Sequence, residues 1–129
     1  MTTVHVGLAC SSEELADRFY RDLLGLQKAE PKTLPQSLSS AIFGIAADLK
    51  IINYSGAAAH FEIFIHRLPA QKEQPIEHVC LAVANLADLL QRGRAMNVKV
   101  LQVPKGETFL TFIYDFDGHL FELKEQPRA

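Results

Sequence analysis

The chain contains an internal repeat. Val4-His5-Val6-Gly7-Leu8-Ala9 resembles Glu77-His78-Val79-Cys80-Leu81-Ala82, sharing His-Val-x-Leu-Ala at an offset of 73 residues. A helix-start signal follows each copy: Ser11-Ser12-Glu13-Glu14 after the first, Asn85-Leu86-Ala87-Asp88 after the second. The ends match too, since Phe61-Glu62-Ile63 resembles Phe121-Glu122-Leu123. Two matches in the same order, flanking the same kinds of element, predict two related modules and restrict the fold accordingly. Each module opens on a His-bearing strand and closes on a Glu-bearing one. The His-to-Glu separation is 57 residues in the first and 44 in the second, so the first carries extra loop.

Within each module, hydrophobic periodicity gives the order strand–helix–strand–strand–strand. Residues 3–9 alternate, with Val4, Val6 and Leu8 on one face and His5, Gly7 and Ala9 on the other. Ser11 with Glu14 reads as a capping box. Leu15, Phe19 and Leu23 form a helical apolar stripe, and Gly25 stops it. Pro31 and Pro35 break the next stretch into a short edge strand and a loop. Residues 41–45 and 49–54 read as a hairpin, and 60–66 as the fourth strand. Residues 76–83 form the next strand, Asn85 caps a helix over 86–96, and 98–103 is a strand. Residues 108–114 and 119–124 form a hairpin around Asp115-Phe116-Asp117-Gly118, where Asp-Gly is strong turn chemistry. The predicted fold class is α+β: two tandem βαβββ modules whose curved mixed sheets enclose a metal or ligand cavity. The modules are placed at 1–68 and 76–129, with a polar, proline-bounded linker at 69–75, all within one domain of 129 residues.

Alternation also says where the polar residues point. His5 shares its face with Gly7 and Ala9, and His78 shares its face with Ile76, Cys80 and Ala82, so these faces carry mainly small residues. Small neighbours leave room for a ligand. Glu62 and Glu122 lie opposite the core residues of their strands. If the sheets curve, His5, Glu62, His78 and Glu122 converge in one cavity. Two imidazoles and two carboxylates suit Zn, Ni, Co, Mn or Fe(II), with room for two waters in six-coordination. Each residue taken alone reads as an ordinary surface or core group; the repetition is what singles out the four. His60 and His66 share the Glu62 face as alternative ligands, substrate contacts or partly exposed strand residues. His119 reads as a solvated hairpin residue, and Lys105 as a solvated loop lysine or an anion contact.

Bulk composition narrows the function classes. Thirteen Lys+Arg face 15 Asp+Glu with no basic block, against a nucleic-acid binder. No apolar run reaches the ~20 residues of a membrane span, and the N-terminus lacks a signal-peptide plan. On these features the chain is expected to be cytoplasmic. Cys10 and Cys80 form no disulfide framework and read as buried reduced thiols. His60-x-Glu62 lacks the Pro-Cys-x-x-Cys of a zinc deaminase, and no dinucleotide, phosphate-loop or hydrolase-elbow motif appears.

Four segments carry a family resemblance: His5-Val6-Gly7-Leu8-Ala9, Phe19-Tyr20-Arg21-Asp22-Leu23-Leu24-Gly25-Leu26, His78-Val79-Cys80-Leu81-Ala82-Val83, and Asp115-Phe116-Asp117-Gly118-His119-Leu120-Phe121-Glu122-Leu123. Together they resemble the vicinal oxygen chelate superfamily, which includes glyoxalase I, bleomycin and fosfomycin resistance proteins, extradiol dioxygenases and methylmalonyl-CoA epimerase. The usual Asp-Pro-Asp-Gly turn has Phe116 in place of Pro. Within the superfamily, bacterial glyoxalase I proteins use His, Glu, His and Glu from strands one, four, five and eight, which implies His5, Glu62, His78 and Glu122 as metal ligands. Glu62 separates the chain from members with Gln or no acidic ligand on strand four. The resemblance implies a glyoxalase I-like lyase acting on a 2-oxoaldehyde–thiol hemithioacetal, with nickel or zinc foremost. In it Glu122, and secondarily Glu62, handles the proton. It also implies a small-molecule substrate and a homodimer. Glutathione-using members have an Arg late in strand one and an Asn after the strand-four Glu. Ala9 and His66 stand at those places here, so the thiol cosubstrate stays open. The alternatives are an epimerase, thiol transferase or dioxygenase of the same superfamily, or a non-catalytic binding protein.

Overall fold

The computed structural model describes residues 1–67 and 76–127. The expected linker at 69–75 lies outside the described residues. The chain divides into two compact units, Met1–Pro69 and Ala70–Ala129. Each combines helices with one mixed sheet, so the fold class is α+β.

In the first unit, strand β1 (Val6–Cys10) leads into helix α1 (Glu13–Ala16), which continues as a π-helical segment over Asp17–Leu23. Next come β2 (Gln27–Lys28), β3 (Lys32–Leu34), helix α2 (Gln36–Phe43), β4 (Leu49–Ser55) and β5 (His60–Ile65). The sheet order is β1-β5-β4-β2, with β3 also pairing to β4. β1 runs parallel to β5, and the other pairs are antiparallel.

Ser12, not Ser11, caps α1: its hydroxyl accepts from the Leu15 amide at 3.2 Å. A cap needs extended backbone one residue before the helix, and Ser12 is the residue that has it (φ −152°, ψ 152°). The widened turn (Leu24 N to Phe19 O, 3.0 Å) shifts the helical register, so adjacent Phe19 and Tyr20 are both buried. Tyr20 packs on Tyr54 and Phe61, with ring centroids 5.6 and 5.4 Å away. Asp17 accepts from the Tyr54 hydroxyl at 2.7 Å and from Lys28 at 3.0 Å, and Lys28 also reaches Glu13 at 2.6 Å. These bonds tie the helix to β2 and β4. Burial, with the Asp17 hydrogen bond and charge, pushes the Tyr54 phenol above its ordinary pKa. Hydrogen bonds from Lys28 and Lys50 hold the Glu13 carboxyl below its own.

Two further expectations about this unit are corrected. Val4 is 76% exposed, because regular strand structure begins only at Val6. Residues 41–45 are not a strand: 36–43 is helix α2. Pro35 supplies its fixed φ at the helix start, and Gly44 ends the helix at φ 70°, a left-handed conformation natural to glycine. Buried Ser39 anchors the turn, its single hydroxyl proton shared between the carbonyls of Ile45 (2.9 Å) and Ala47. Local capping thereby overrides the strand propensity of Ile42 and Phe43.

The second unit follows the expected plan: β6 (His78–Val83), α3 (Leu86–Ala95), β7 (Val100–Lys105), β8 (Thr108–Tyr114) and β9 (Leu120–Glu125). The sheet order is β6-β9-β8-β7, with β6 parallel to β9. Asn85 caps α3 by accepting from the Asp88 amide at 3.0 Å. Leu89, Leu90 and Gly93 are its buried residues. Pro104 is tolerated because β7 is an edge strand.

In the β8–β9 turn, Gly118 has φ +89°. The buried Asp115 carboxylate accepts from the amides of Asp117 (3.0 Å) and His119 (2.8 Å). Its other oxygen lies 2.7 Å from His119 Nδ1. His119 is therefore not a solvated hairpin residue but part of the turn lock. Burial opposes its charge, yet the hydrogen bond to Asp115 and the charges of Asp115 and Asp117 outweigh that, and its pKa is raised.

Candidate metal-binding site

The two units place a His and a Glu in the same relation. In the first, Gly7 pairs with Glu62 across the parallel strands β1 and β5, and His5 lies two residues before Gly7. In the second, Cys80 pairs with Glu122 across β6 and β9, and His78 lies two residues before Cys80. Strand alternation puts residues two apart on one face, so each imidazole comes up beside its carboxylate. His5 Nδ1 lies 3.8 Å from Glu62 Oε2, and His78 Nε2 lies 3.8 Å from Glu122 Oε1. The repeat legible in the sequence is thus a repeat of register and spacing, although His5 faces its carboxylate with Nδ1 and His78 with Nε2.

The donor chemistry fits a divalent cation. Two ligand atoms, each ~2.1 Å from one ion, sit about 3–4 Å apart, and both pairs meet that spacing. His78 Nδ1 lies 2.8 Å from the Ile76 carbonyl, which can only accept. The neutral ring therefore carries its proton on Nδ1, and the Nε2 lone pair faces Glu122. Metal-ligating histidines are usually oriented in this way.

The surroundings of the two pairs differ. Glu122 accepts from the Cys80 thiol at 3.7 Å and has Lys124 Nζ at 4.0 Å. At the matching position beside Glu62 stands Gly7, which leaves that face open. Cys80 is exposed rather than buried, because it shares the open face of β6 with His78; Cys10 is buried as expected. Partial desolvation, then the Glu122 charge, push the Cys80 thiol up, so it stays protonated and donates. On β5, His60 bonds through Nε2 to the Asn53 side chain at 2.7 Å, and its ring centroid is 5.8 Å from that of His5.

Beside the His5–Glu62 pair, the first unit holds a cavity of about 350 Å³. Leu8, Ala9, Phe64 and His66 line it from β1, β5 and the residue just after β5. Phe43 lines it from the end of α2, Ile45 from the turn beyond that helix, and Leu49 from the start of β4. Neither Phe43 nor the Ile76 carbonyl was legible as a site group. The first lies on a helix whose pattern resembles a strand, and a backbone acceptor has no sequence signature. Lys105 is an exposed residue at the end of β7.

This fold, with a His–Glu pair repeated across its two modules, defines a class that the comparisons identify. The chain matches the Glyoxalase/Bleomycin resistance protein/Dioxygenase superfamily over residues 2–123, and it belongs to that superfamily. Several solved structures share the fold, among them the following three. A glyoxalase family protein from Enterococcus faecalis is 19% identical, with a TM-score of 0.71 and 94% of each chain covered. The fosfomycin resistance protein FosX from Listeria monocytogenes, complexed with Mn(II) and sulfate ion, is 18% identical, with a TM-score of 0.69, covering 97% of this chain and 92% of its own. The trypanothione-dependent glyoxalase I of Leishmania major is 14% identical, with a TM-score of 0.70, covering 97% of this chain and 86% of its own. No curated protein matches the chain in sequence. No helix among the described residues is long and apolar enough to cross a membrane.

Proposed function

We propose that the protein is a metal-dependent, glyoxalase I-like lyase acting on a 2-oxoaldehyde–thiol hemithioacetal. Its ligand set is His5, Glu62, His78 and Glu122, one pair from each unit. The supporting observation is the His–Glu pair repeated at the same register and the same 3.8 Å spacing in both units. These four residues would hold a divalent ion, nickel or zinc in this proposal, which would supply Lewis acidity toward the oxygens of a substrate that reacts through an enediolate.

The chain's own residues then divide the work. His5 and His78 hold the site, and His78 is pre-oriented by the Ile76 carbonyl. Glu122 takes the proton from the hydroxyl-bearing carbon and returns it to the neighbouring one, base first and acid second. The Cys80 thiol and Lys124 beside it steady the charged form. Glu62 serves as a ligand or handles the proton of the opposite hand. The protein acts in the cytoplasm as a homodimer in this proposal.

The test combines metal analysis with turnover of methylglyoxal and phenylglyoxal hemithioacetals of several thiols. Stoichiometric nickel or zinc with turnover is the expected result. No affinity for either ion overturns the proposal. Metal binding without turnover on any thiol replaces it with a ligand-sequestering role.

A further inference from the structure

We propose that the cavity beside His5 and Glu62 is a specificity pocket for an apolar, ring-sized substituent on the substrate carbon skeleton, with Phe43 as a specificity-determining residue. The inference rests on the hemithioacetal chemistry proposed above and adds the substrate class: aryl or bulky apolar 2-oxoaldehydes rather than methylglyoxal.

Glu62, Phe64 and His66 succeed one another on the same face at alternate positions. Steps of ~6.6 Å per two residues put about 13 Å between the ends of that row. The cavity therefore has a polar end at His5 and Glu62, an aromatic middle at Phe64, and an imidazole at its far end. Between the ends its walls are Leu8, Ala9, Phe43, Ile45, Leu49 and Phe64, none with a polar side-chain atom.

Helix α2 makes this enclosure. Phe43, on its last turn, meets Phe64 edge-on, with ring centroids 5.3 Å apart and planes at 70°. Phe43 is nonetheless 49% exposed, so a wall of the cavity also faces solvent and can adjust to a ligand. A methyl group leaves most of a 350 Å³ space unfilled and forfeits dispersion contacts, whereas a ring engages both aromatic walls. The volume lies in the ordinary range of small-molecule pockets, ~300–1,000 Å³. A peptidic thiol would find no partner for its amides along these walls.

Mandelate and lactate share a 2-hydroxycarboxylate head and differ only in phenyl against methyl, which makes them direct probes. Calorimetric titration of the metal-free and metal-loaded protein should show mandelate binding about tenfold or more tightly than lactate. Ala9→Leu, which fills the cavity, and Phe43→Ser, which removes an exposed wall, should each bring the ratio to within about threefold. Circular dichroism checks the fold of both variants. Equal affinities in the unsubstituted protein, a ratio that survives both substitutions, or no binding of either acid overturns the assignment. The readout is binding, so it separates from the proposed activity. A mandelate preference without turnover of any hemithioacetal keeps the pocket and removes the lyase. Turnover without the preference does the reverse.

Discussion

His78 Nδ1 is bonded to the carbonyl oxygen of Ile76 at 2.8 Å, and this bond decides which nitrogen the ring offers a cation. With its proton on Nδ1, the neutral imidazole presents the Nε2 lone pair toward Glu122. His78→Ala and His5→Ala are each expected to weaken nickel or zinc binding by at least ~10–100-fold, the range that even outer-shell losses reach. Competition against a chromophoric chelator measures this. Unchanged affinity in either variant removes that histidine from the ligand set.

Glu122→Gln keeps the side-chain volume and removes the proton acceptor. Turnover should fall by ~10²–10⁴-fold with an unchanged circular dichroism spectrum. Activity near that of the unsubstituted protein would take the base role away from Glu122.

Ser39→Ala leaves the carbonyls of Ile45 and Ala47 without the buried hydroxyl that now binds them. Losing the hydrogen bond of this buried hydroxyl costs about 0.5–1.5 kcal/mol, since the carbonyls it leaves are not themselves buried. Urea denaturation gives the value. Stability within a few tenths of a kcal/mol of the parent would mean that the end of α2 is held by other contacts.

Tyr54→Phe deletes the hydroxyl that donates to Asp17 at 2.7 Å and joins α1 to β4. Asp17 retains Lys28 at 3.0 Å, which limits the expected loss to about 1–2 kcal/mol. A thermal or urea midpoint equal to the parent's contradicts the importance of this tie.

His119 has a folded-state pKa raised above its ordinary 6.5. The stabilisation from its charged form is fully present below about pH 6.5 and is lost as the pH rises through the folded value. The melting-temperature gap between the parent and His119→Gln should therefore be wider at pH 6 than at pH 9. A gap independent of pH would show that the charge on His119 contributes nothing and that only the neutral hydrogen bond does.

Much of the second unit was legible in the sequence because its local signals agree with one another. Asn85 caps its helix, Asp115 to Gly118 turns its hairpin, and alternation along β6 and β9 is uninterrupted. The first unit was harder because two signals compete at Ala41-Ile42-Phe43. Their side chains favour a strand, whereas Pro35, Ser39 and Gly44 favour a helix through φ restriction, a buried hydroxyl and a left-handed cap. The expectation for Cys80 failed for a different reason. Cysteine is buried on average, but this one lies on the face that the small residues of β6 leave open.

The sequence by itself determined which residues could form the site. A strand places every second side chain on one face, so the repeated His-Val-x-Leu-Ala and Phe-Glu segments required each His and Glu to stand away from its core face. Only the tertiary structure decided how they meet. The parallel pairings of β1 with β5 and of β6 with β9 join segments more than 40 residues apart, and register across such a gap comes from packing rather than from local pattern. The same holds for the proton on His78 and for the aromatic wall at Phe43. Each depends on a neighbour that folding brings to it and that no spacing along the chain announces.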